Sequence, residues 1–441
     1  MRLHSGKQLR TNKSRATISL AALLFAAGLF GFADSCRAGE RSIEEEIAEL
    51  KARIMQLEKR LSEQKKTIER QESRIEHIDT HLLHRKDAMG FVLDGLRIGA
   101  GATLVVQGTE NANATRRKGD DTTDATYSID LEAEKKIGEP GLAFLLLEAG
   151  QGEGLDGDEL NLFGGVNADA GDSNANVQVT EFWYEHNFLD GMLVATAGKL
   201  DPTVYLDPNA IANDETAQFL GGTFRNSTAL EFPDDSGPGV RLAFAPADWV
   251  ELTIGGFDDN GDWEDVVDDS FLFGQISLRP KFFGHEGNYR FYVWHDNSDH
   301  VKLLDSSRNR EPNYGLGLSF DQQLTDIISL FTRFGWEDPR VSTIEYAWSA
   351  GGQITGRLWR RDKDVFGIAL GQSIPGDEYG RAGNPGHQES HLEAYYNIYI
   401  NDHLSISPDL QVIWNPNGVS RGDEGRADTV YVFGLRGQLN F

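Results

Sequence analysis

Two trios of side chains place carboxylates beside aromatic rings at every second position. In "VTEFWYEHNF" (179–188) they are Glu181, Trp183 and Glu185; in "HLEAYYNIYI" (391–400) they are Glu393, Tyr395 and Asn397. Side chains alternate across a strand, so each trio shares one face. Leu392, Ala394, Tyr396, Ile398 and Ile400 occupy the face opposite the second trio. Such groups offer hydrogen bonds and flat apolar rings, which suit weak, reversible binding. Each residue alone also fits an ordinary wet surface. Bond-making chemistry needs a nucleophile and a base together. Ser390 beside His391 is the one suggestive pair, and strand neighbours point to opposite faces. No enzyme, catalytic residue or metal site is expected.

The elements that must hold these faces have period two. "TVYVFGLRGQLNF" (429–441) alternates Tyr431, Phe433, Leu435 and Phe441 with Arg436, Gln438 and Asn440. Similar runs lie at 93–107, 126–137, 142–151, 176–188, 192–200, 249–257, 270–279, 287–295, 314–320, 326–336, 346–358, 365–373, 391–400 and 404–414. Tight connections such as "FLDG" alternate with long polar ones such as "DDNGDWEDVVDD" (258–269). Two-faced strands of about ten residues with this loop rhythm predict a transmembrane β-barrel of about 16 antiparallel strands over residues 91–441, with a wet lumen. Trp249, Trp294, Trp336 and Trp359 then read as interfacial girdles, and Arg436 as lumen-lining. A soluble sandwich or β-helix would leave the greasy face of 429–441 unexplained.

The N-terminal part is of another kind. Five Lys and Arg precede the apolar run "ATISLAALLFAAGLFGFA" (16–33), and "CRA" closes a signal peptide of residues 1–38, with cleavage after Ala33 as the alternative. Cys36, the one cysteine, leaves with it, although a lipid-anchored reading of that cysteine also exists. The mature chain then has no disulfide and no thiol chemistry. Residues 42–86 show heptads, with Ile47, Ile54, Leu61, Ile68, Ile75 and Leu82 at one seam position. Ile43, Leu50, Leu57, Gln64, Gln71 and Ile78 fill the other. A coiled-coil stalk is expected there. The net charge of −27 across 441 residues argues against nucleic acid as a partner.

One long segment, 198–240, is not strand-like. It holds Pro202, Pro208, Pro233 and Pro238 and apolar Val204, Tyr205, Ile211, Phe219, Leu220 and Phe224 among many Asp and Asn. A loop of this length is usually functional. It is expected to fold into the lumen over about 201–238, with Lys199, Asp201, Asn209, Asn213, Asp214, Glu215, Arg225 and Asn226 as constriction candidates. An ordinary extracellular loop is the alternative. "GKLDPTVYLDPNAIANDETAQFL" (198–220) resembles the loop signature of the carbohydrate-selective porin family, OprB type. "LEAYYNIYINDHLSISPDLQVIWNPNG" (392–418) and "FGLRGQLNF" (433–441) resemble that family's C-terminal strands, and the final aromatic its insertion signal.

The resemblance implies a 16-stranded outer-membrane channel of a Gram-negative bacterium. It would be embedded in outer-membrane lipid, homotrimeric, free of cofactors, and open to sugars or other small hydrophilic solutes. Carboxylates, amides and Arg would bond sugar hydroxyls, and aromatic faces would stack on the ring. Weak sites favour conduction over capture. An anion or phosphate porin, which would need a ring of Lys or Arg, and a barrel sheath for an electron-transfer conduit are the alternatives. A trimeric adhesin would carry a much shorter barrel segment per chain. The stalk lies outside the family's barrel domain. At about 1.5 Å per residue it would reach roughly 65 Å into the periplasm, towards the peptidoglycan.

A peptide of residues 39–88 should be helical and oligomeric by sedimentation. Replacing Gln64 and Gln71 by Leu should raise its melting temperature, because buried polar seam residues cost stability. A monomeric peptide, or one without helical signal, would contradict the heptad reading.

Overall fold

The computed structural model describes residues 95–114, 121–155, 160–169, 176–233, 235–264, 266–282, 284–420 and 429–441. The signal peptide and coiled coil read from the sequence lie outside these residues. Among the described residues, no helix is long and apolar enough to cross a membrane. The strands are β1 (Leu96–Glu110), β2 (Thr122–Ile137), β3 (Gly141–Gln151), β4 (Gln178–Phe188), β5 (Leu193–Leu200), β6 (Gly237–Ala247), β7 (Val250–Asp258), β8 (Ser270–Leu278), β9 (Lys281–Phe282), β10 (His285–His300), β11 (Glu311–Gln323), β12 (Ile328–Glu337), β13 (Ile344–Gly356), β14 (Arg361–Pro375), β15 (Glu389–Asn401), β16 (Leu404–Trp414) and β17 (Val430–Asn440). β9 is a two-residue ribbon on β10. The other sixteen form one antiparallel sheet that closes when β17 pairs with β1. Phe441 joins this seam, its N–H donating to the Ala100 carbonyl at 2.9 Å. Closure leaves no edge, the condition for strands in hydrocarbon.

Alternation explains the two surfaces. In β17, Tyr431, Phe433, Leu435 and Leu439 are exposed outside, while Val430, Val432, Arg436 and Gln438 are buried inside. The outer belt continues through Leu104, Ile129, Phe182, Val240, Ile254, Val293 and Leu316, all exposed. Trp249, Trp359 and Phe441 stand near the short turns, and Trp414 and Tyr431 near the long loops. Both rims thus carry exposed aromatics.

Three details differ from the sequence reading. β6 begins at Gly237, inside the segment expected to be loop. Its sequence, "GPGVRLAFAPA", has Pro, Gly and small residues that mask the alternation. Trp294 does not belong to a girdle. It follows Tyr292 on the inner face of β10, is 3% exposed, and stacks on Phe271 at 5.8 Å. Lys199 still lies within β5, opposite outward Phe182 and next to inward, buried Leu200. Alternation therefore turns it to the outer face, away from any constriction.

Val293 lies on the outer face of β10, with Phe291 and Leu316 beside it. Val293→Arg should destabilise the barrel by about 2–4 kcal/mol, as a cation near mid-bilayer does. Urea unfolding in lipid vesicles reads the difference. A loss under 0.5 kcal/mol would place this face outside the hydrocarbon.

Candidate functional site

The 201–236 connection between β5 and β6 packs against the inner wall. Leu206, Ile211, Phe219, Leu220, Phe224 and Leu230 are all buried. Phe219 meets Tyr395 edge-on at 5.0 Å and Phe331 at 5.6 Å, and Phe224 lies 5.0 Å from His391. Hydrophobic burial alone would leave the loop's backbone groups unpaired. Side chains of the barrel wall supply their partners. Glu393 accepts from the N–H groups of Leu220 at 2.6 Å and Gly221 at 2.9 Å. Arg333 donates to the carbonyls of Phe224 and Asp207 and forms a 3.1 Å ion pair with the Asp207 carboxylate. Asp207 in turn accepts from the Ser227 N–H at 2.9 Å. Ser319 donates to Pro208, Asn397 to Ala217, and Arg436 to the Glu215 carbonyl.

A second insertion, 160–169 between β3 and β4, stacks on the first. Gly222 N–H donates to the Gly165 carbonyl, and Ala168 N–H to that of Leu220, both at 2.8 Å. Gln107 and Gln411 each donate to Val166 O at 2.9 Å. Glu389 accepts from Phe163, Gly164 and Asn417 N–H groups. A Cβ on Gly164 would meet Thr223 Oγ1 at 2.1 Å, so this close crossing requires glycine. Leu155, Leu160 and Val166 pack with Ile413, Val430 and Val432.

The two insertions cover much of the interior, Thr126 and Ser128 of β2 included, and leave the stretch of β2–β4 around Glu132 and Trp183 less covered. There Glu132 is exposed and Asp130, Glu134 and Glu148 are half-buried on the inner face. Phe144 stacks on Trp183, with ring centroids 4.9 Å apart and planes 23° from parallel. Glu181 accepts from Trp183 Nε1 at 3.0 Å, and Glu185 from Thr196 at 3.1 Å. Arg241 lies 3.7 Å from Glu185, 3.9 Å from Glu251 and 4.9 Å above the Tyr205 ring. On the loop, Glu215 pairs with Arg225 at 2.9 Å and Asp214 is exposed. Stacked rings thus sit beside carboxylates, one of which faces a guanidinium, a surface able to bind polyhydroxylated solutes weakly.

The sequence-expected residues divide accordingly. Glu181, 8% exposed, meets half-buried Trp183 and Glu185 in the less covered half. Asp214, Glu215, Arg225 and Asn226 lie on the partly exposed stretch of the loop. Asp201 is turned inward on the chain, accepting from Thr203 N–H at 2.8 Å. Asn209, 6% exposed, is tied to Ser319, and Asn213 accepts from Asn209 N–H and Arg333. Glu393, Tyr395 and Arg436 do not line an open path: the loop covers them, leaving 2% exposure or less. Asn397 is half-buried beneath Ala217. Ser390 and His391 do point to opposite faces, with His391 buried between Thr223 and Gln411. Phe144, Arg241, Arg333 and Asp169 were not singled out in the sequence. The only signal for the two arginines is a cation on a strand's inward register.

A family model described as carbohydrate-selective porin, OprB family, matches residues 116–441. "Porin AaxA" of Chlamydia abortus (strain DSM 27085 / S26/3) is 21% identical over 281 residues, 62% of this chain and 59% of that protein. "Porin AaxA" of Chlamydia caviae (strain ATCC VR-813 / DSM 19441 / 03DC25 / GPIC) is 24% identical over 259 residues, 56% of this chain and 54% of that protein. The chain thus spans little more than half the length of these relatives. The high-pH structure of Pseudomonas putida OprB superposes with a TM-score of 0.70 at 18% identity, covering 81% of this chain and 97% of that one. The Acinetobacter baumannii outer-membrane channel DcaP gives 0.51 at 11% identity, covering 78% and 97%. At these identities the structural likeness concerns the fold.

Asp169, on the second insertion, accepts from Ser128 at 3.0 Å. Burial pushes its carboxyl up to about 7, helped by Glu215 and Asp130. A raised acid is neutral below that value and ionises as pH rises through it. Cation preference, read as reversal potential in a KCl gradient, should therefore increase between pH 6 and 8. Asp169→Asn should lose part of that increase. An unchanged increase would show that Asp169 does not titrate in the channel.

Proposed function

This chain belongs to the OprB family of carbohydrate-selective porins, and on that premise we propose that it lets carbohydrates and other small hydrophilic solutes diffuse across the outer membrane. Family and fold point to a channel rather than an enzyme, in the outer membrane of a Gram-negative bacterium. The observation that carries the sugar reading is the Phe144–Trp183 stack beside Glu181 and Glu185, with Arg241 facing Glu185. Sugar rings have apolar faces that lie on aromatic planes and hydroxyls that bond carboxylates. The constriction is the partly exposed stretch of the 201–236 loop, where Asp214, Glu215, Arg225 and Asn226 face the solute. The acidic, less covered half speaks against an anion or phosphate pore, which needs Lys or Arg rings. Two insertions across the lumen speak against a sheath for an electron conduit.

We read the functional unit as a homotrimer. Residues 1–38 are removed on export. Residues 42–86 form a periplasmic coiled coil that spaces or anchors the barrel against peptidoglycan. These assignments rest on the sequence patterns and on the periplasmic placement of short turns in such barrels.

Single-channel recording in planar bilayers tests the reading. Neutral mono- and disaccharides should reduce conductance reversibly at millimolar concentration. Trp183→Ala should raise the half-saturating sugar concentration roughly two- to tenfold, matching about 0.5–1.5 kcal/mol for a lost aromatic contact. Equal sugar block in folded Trp183→Ala, or stronger block by inorganic phosphate than by sugar, would overturn it.

A further inference from the structure

Near the long-loop ends of β10 and β11, three side chains from two segments converge on one small space. Asp296 and His300 stand on β10, and Glu231 comes from the returning arm of the 201–236 loop. The three ligand atoms all lie within 4.8 Å of one another. His300 Nδ1 is 3.0 Å from the Ser298 carbonyl. A carbonyl only accepts, so Nδ1 carries a proton. In the neutral ring that leaves Nε2 as a lone pair, and it points between two carboxylates. Glu231 Oε2 lies 3.1 Å away and Asp296 Oδ2 3.4 Å away.

A second observation concerns Asp296 itself. Its side chain is 1% exposed. Oδ1 accepts from Ser298 N–H at 2.8 Å. Oδ2 faces His300 Nε2 at 3.4 Å across the same space. A carboxylate buried this deeply, with a second carboxylate across the same space, calls for a cation between them. A third carboxylate stands behind the space. Glu337, 5% exposed, is linked to Glu231 through the Asn313 amide, which also contacts Ser342. The nearby cations are engaged elsewhere, Lys302 with Glu311 and Arg340 with Asp338.

We propose that Glu231, Asp296 and His300 bind one borderline divalent metal ion of the Zn²⁺ class, with water completing its shell. Imidazole nitrogen with carboxylate oxygens is a donor set for such ions. The Nδ1 proton held by a backbone carbonyl is the outer contact that fixes a metal-binding histidine. Zinc bonds of about 2.0–2.1 Å at tetrahedral angles place ligand atoms about 3.3 Å apart, close to the two separations from Nε2. The ion ties the returning arm of the constriction loop to the wall. The sequence reading expected no metal site, because Glu231 is far from Asp296 and His300 along the chain and nothing local joins them.

The test uses full-length protein without a histidine tag, in detergent, stripped with EDTA and titrated with Zn²⁺ by calorimetry at pH 7.5. One site per chain is expected. Glu231→Gln and His300→Ala should each weaken it at least tenfold, while His295→Ala, on the outer face, should not. Heat-modifiability on gels reports whether each variant is folded. If His300→Ala does not fold, Glu231→Gln carries the test, since its side chain is partly exposed. Zn²⁺ should also raise the resistance of the 201–236 loop to limited proteolysis in wild type but not in Glu231→Gln. Absence of a site, or equal affinity in folded Glu231→Gln, would show that a protonated His300 bridges the two carboxylates, and would overturn the proposal.

Discussion

A backbone that leaves water must find a partner for every N–H and C=O within the protein. The sixteen strands meet this demand among themselves by closing β1 on β17. The two inserted segments cannot, because they are irregular. Their partners come from inward side chains of the wall: Glu393 beneath Leu220 and Gly221, Glu389 beneath Phe163 and Gly164, Arg333 beneath Phe224. Each carboxylate accepts from amides and each guanidinium donates to carbonyls. The polarity of the lumen is therefore structural as much as functional.

This division makes the interior two-sided. On the covered side charges are buried and matched, as in the Arg333–Asp207 pair. Such a pair contributes little net stability when intact. Removing one partner costs about 3–5 kcal/mol, because a buried charge is left alone. That asymmetry sets the loop position more than it strengthens the fold. On the less covered side the charges are more solvated. Arg241 has two acceptors, at 3.7 and 3.9 Å, rather than one tight mate. Loose partners suit a passage, where a solute must exchange one set of hydrogen bonds for the next.

The barrel was legible because alternation is a local signal, readable over a few residues such as Tyr314, Leu316, Leu318 and Phe320. β6 was missed where Pro238 and Gly239 interrupt that signal. Facing was also legible: Glu181, Trp183, Glu185, Glu393, Tyr395 and Arg436 all point inward. What the sequence did not show is which inward face a distant loop covers. Glu393 and Glu181 look alike in the chain. One is fully sealed by Leu220 and Gly221, the other keeps 8% exposure beside a half-buried aromatic stack. That difference depends on contacts across 173 residues, which no local pattern encodes. Lys199 shows the converse: it lies inside the strand read at 192–200, and alternation alone turns it away from the lumen that the loop enters.

The seam between β1 and β17 has a consequence for how the molecule is made. Thr103 donates to Gln438 at 2.6 Å across a separation of 335 residues. Every other pairing in the wall joins neighbours in chain order, or neighbours but for the small β9 ribbon. The hairpins can assemble one after another, each closing a short loop. The seam closes the longest loop of all, and the entropy of that closure is met before its hydrogen bonds form. Until then two unpaired edges coexist on a curved sheet, open to the edge of another copy. Ring closure is thus the step that separates one finished barrel from a chain still able to join its neighbour, and Phe441 is among the residues that complete it.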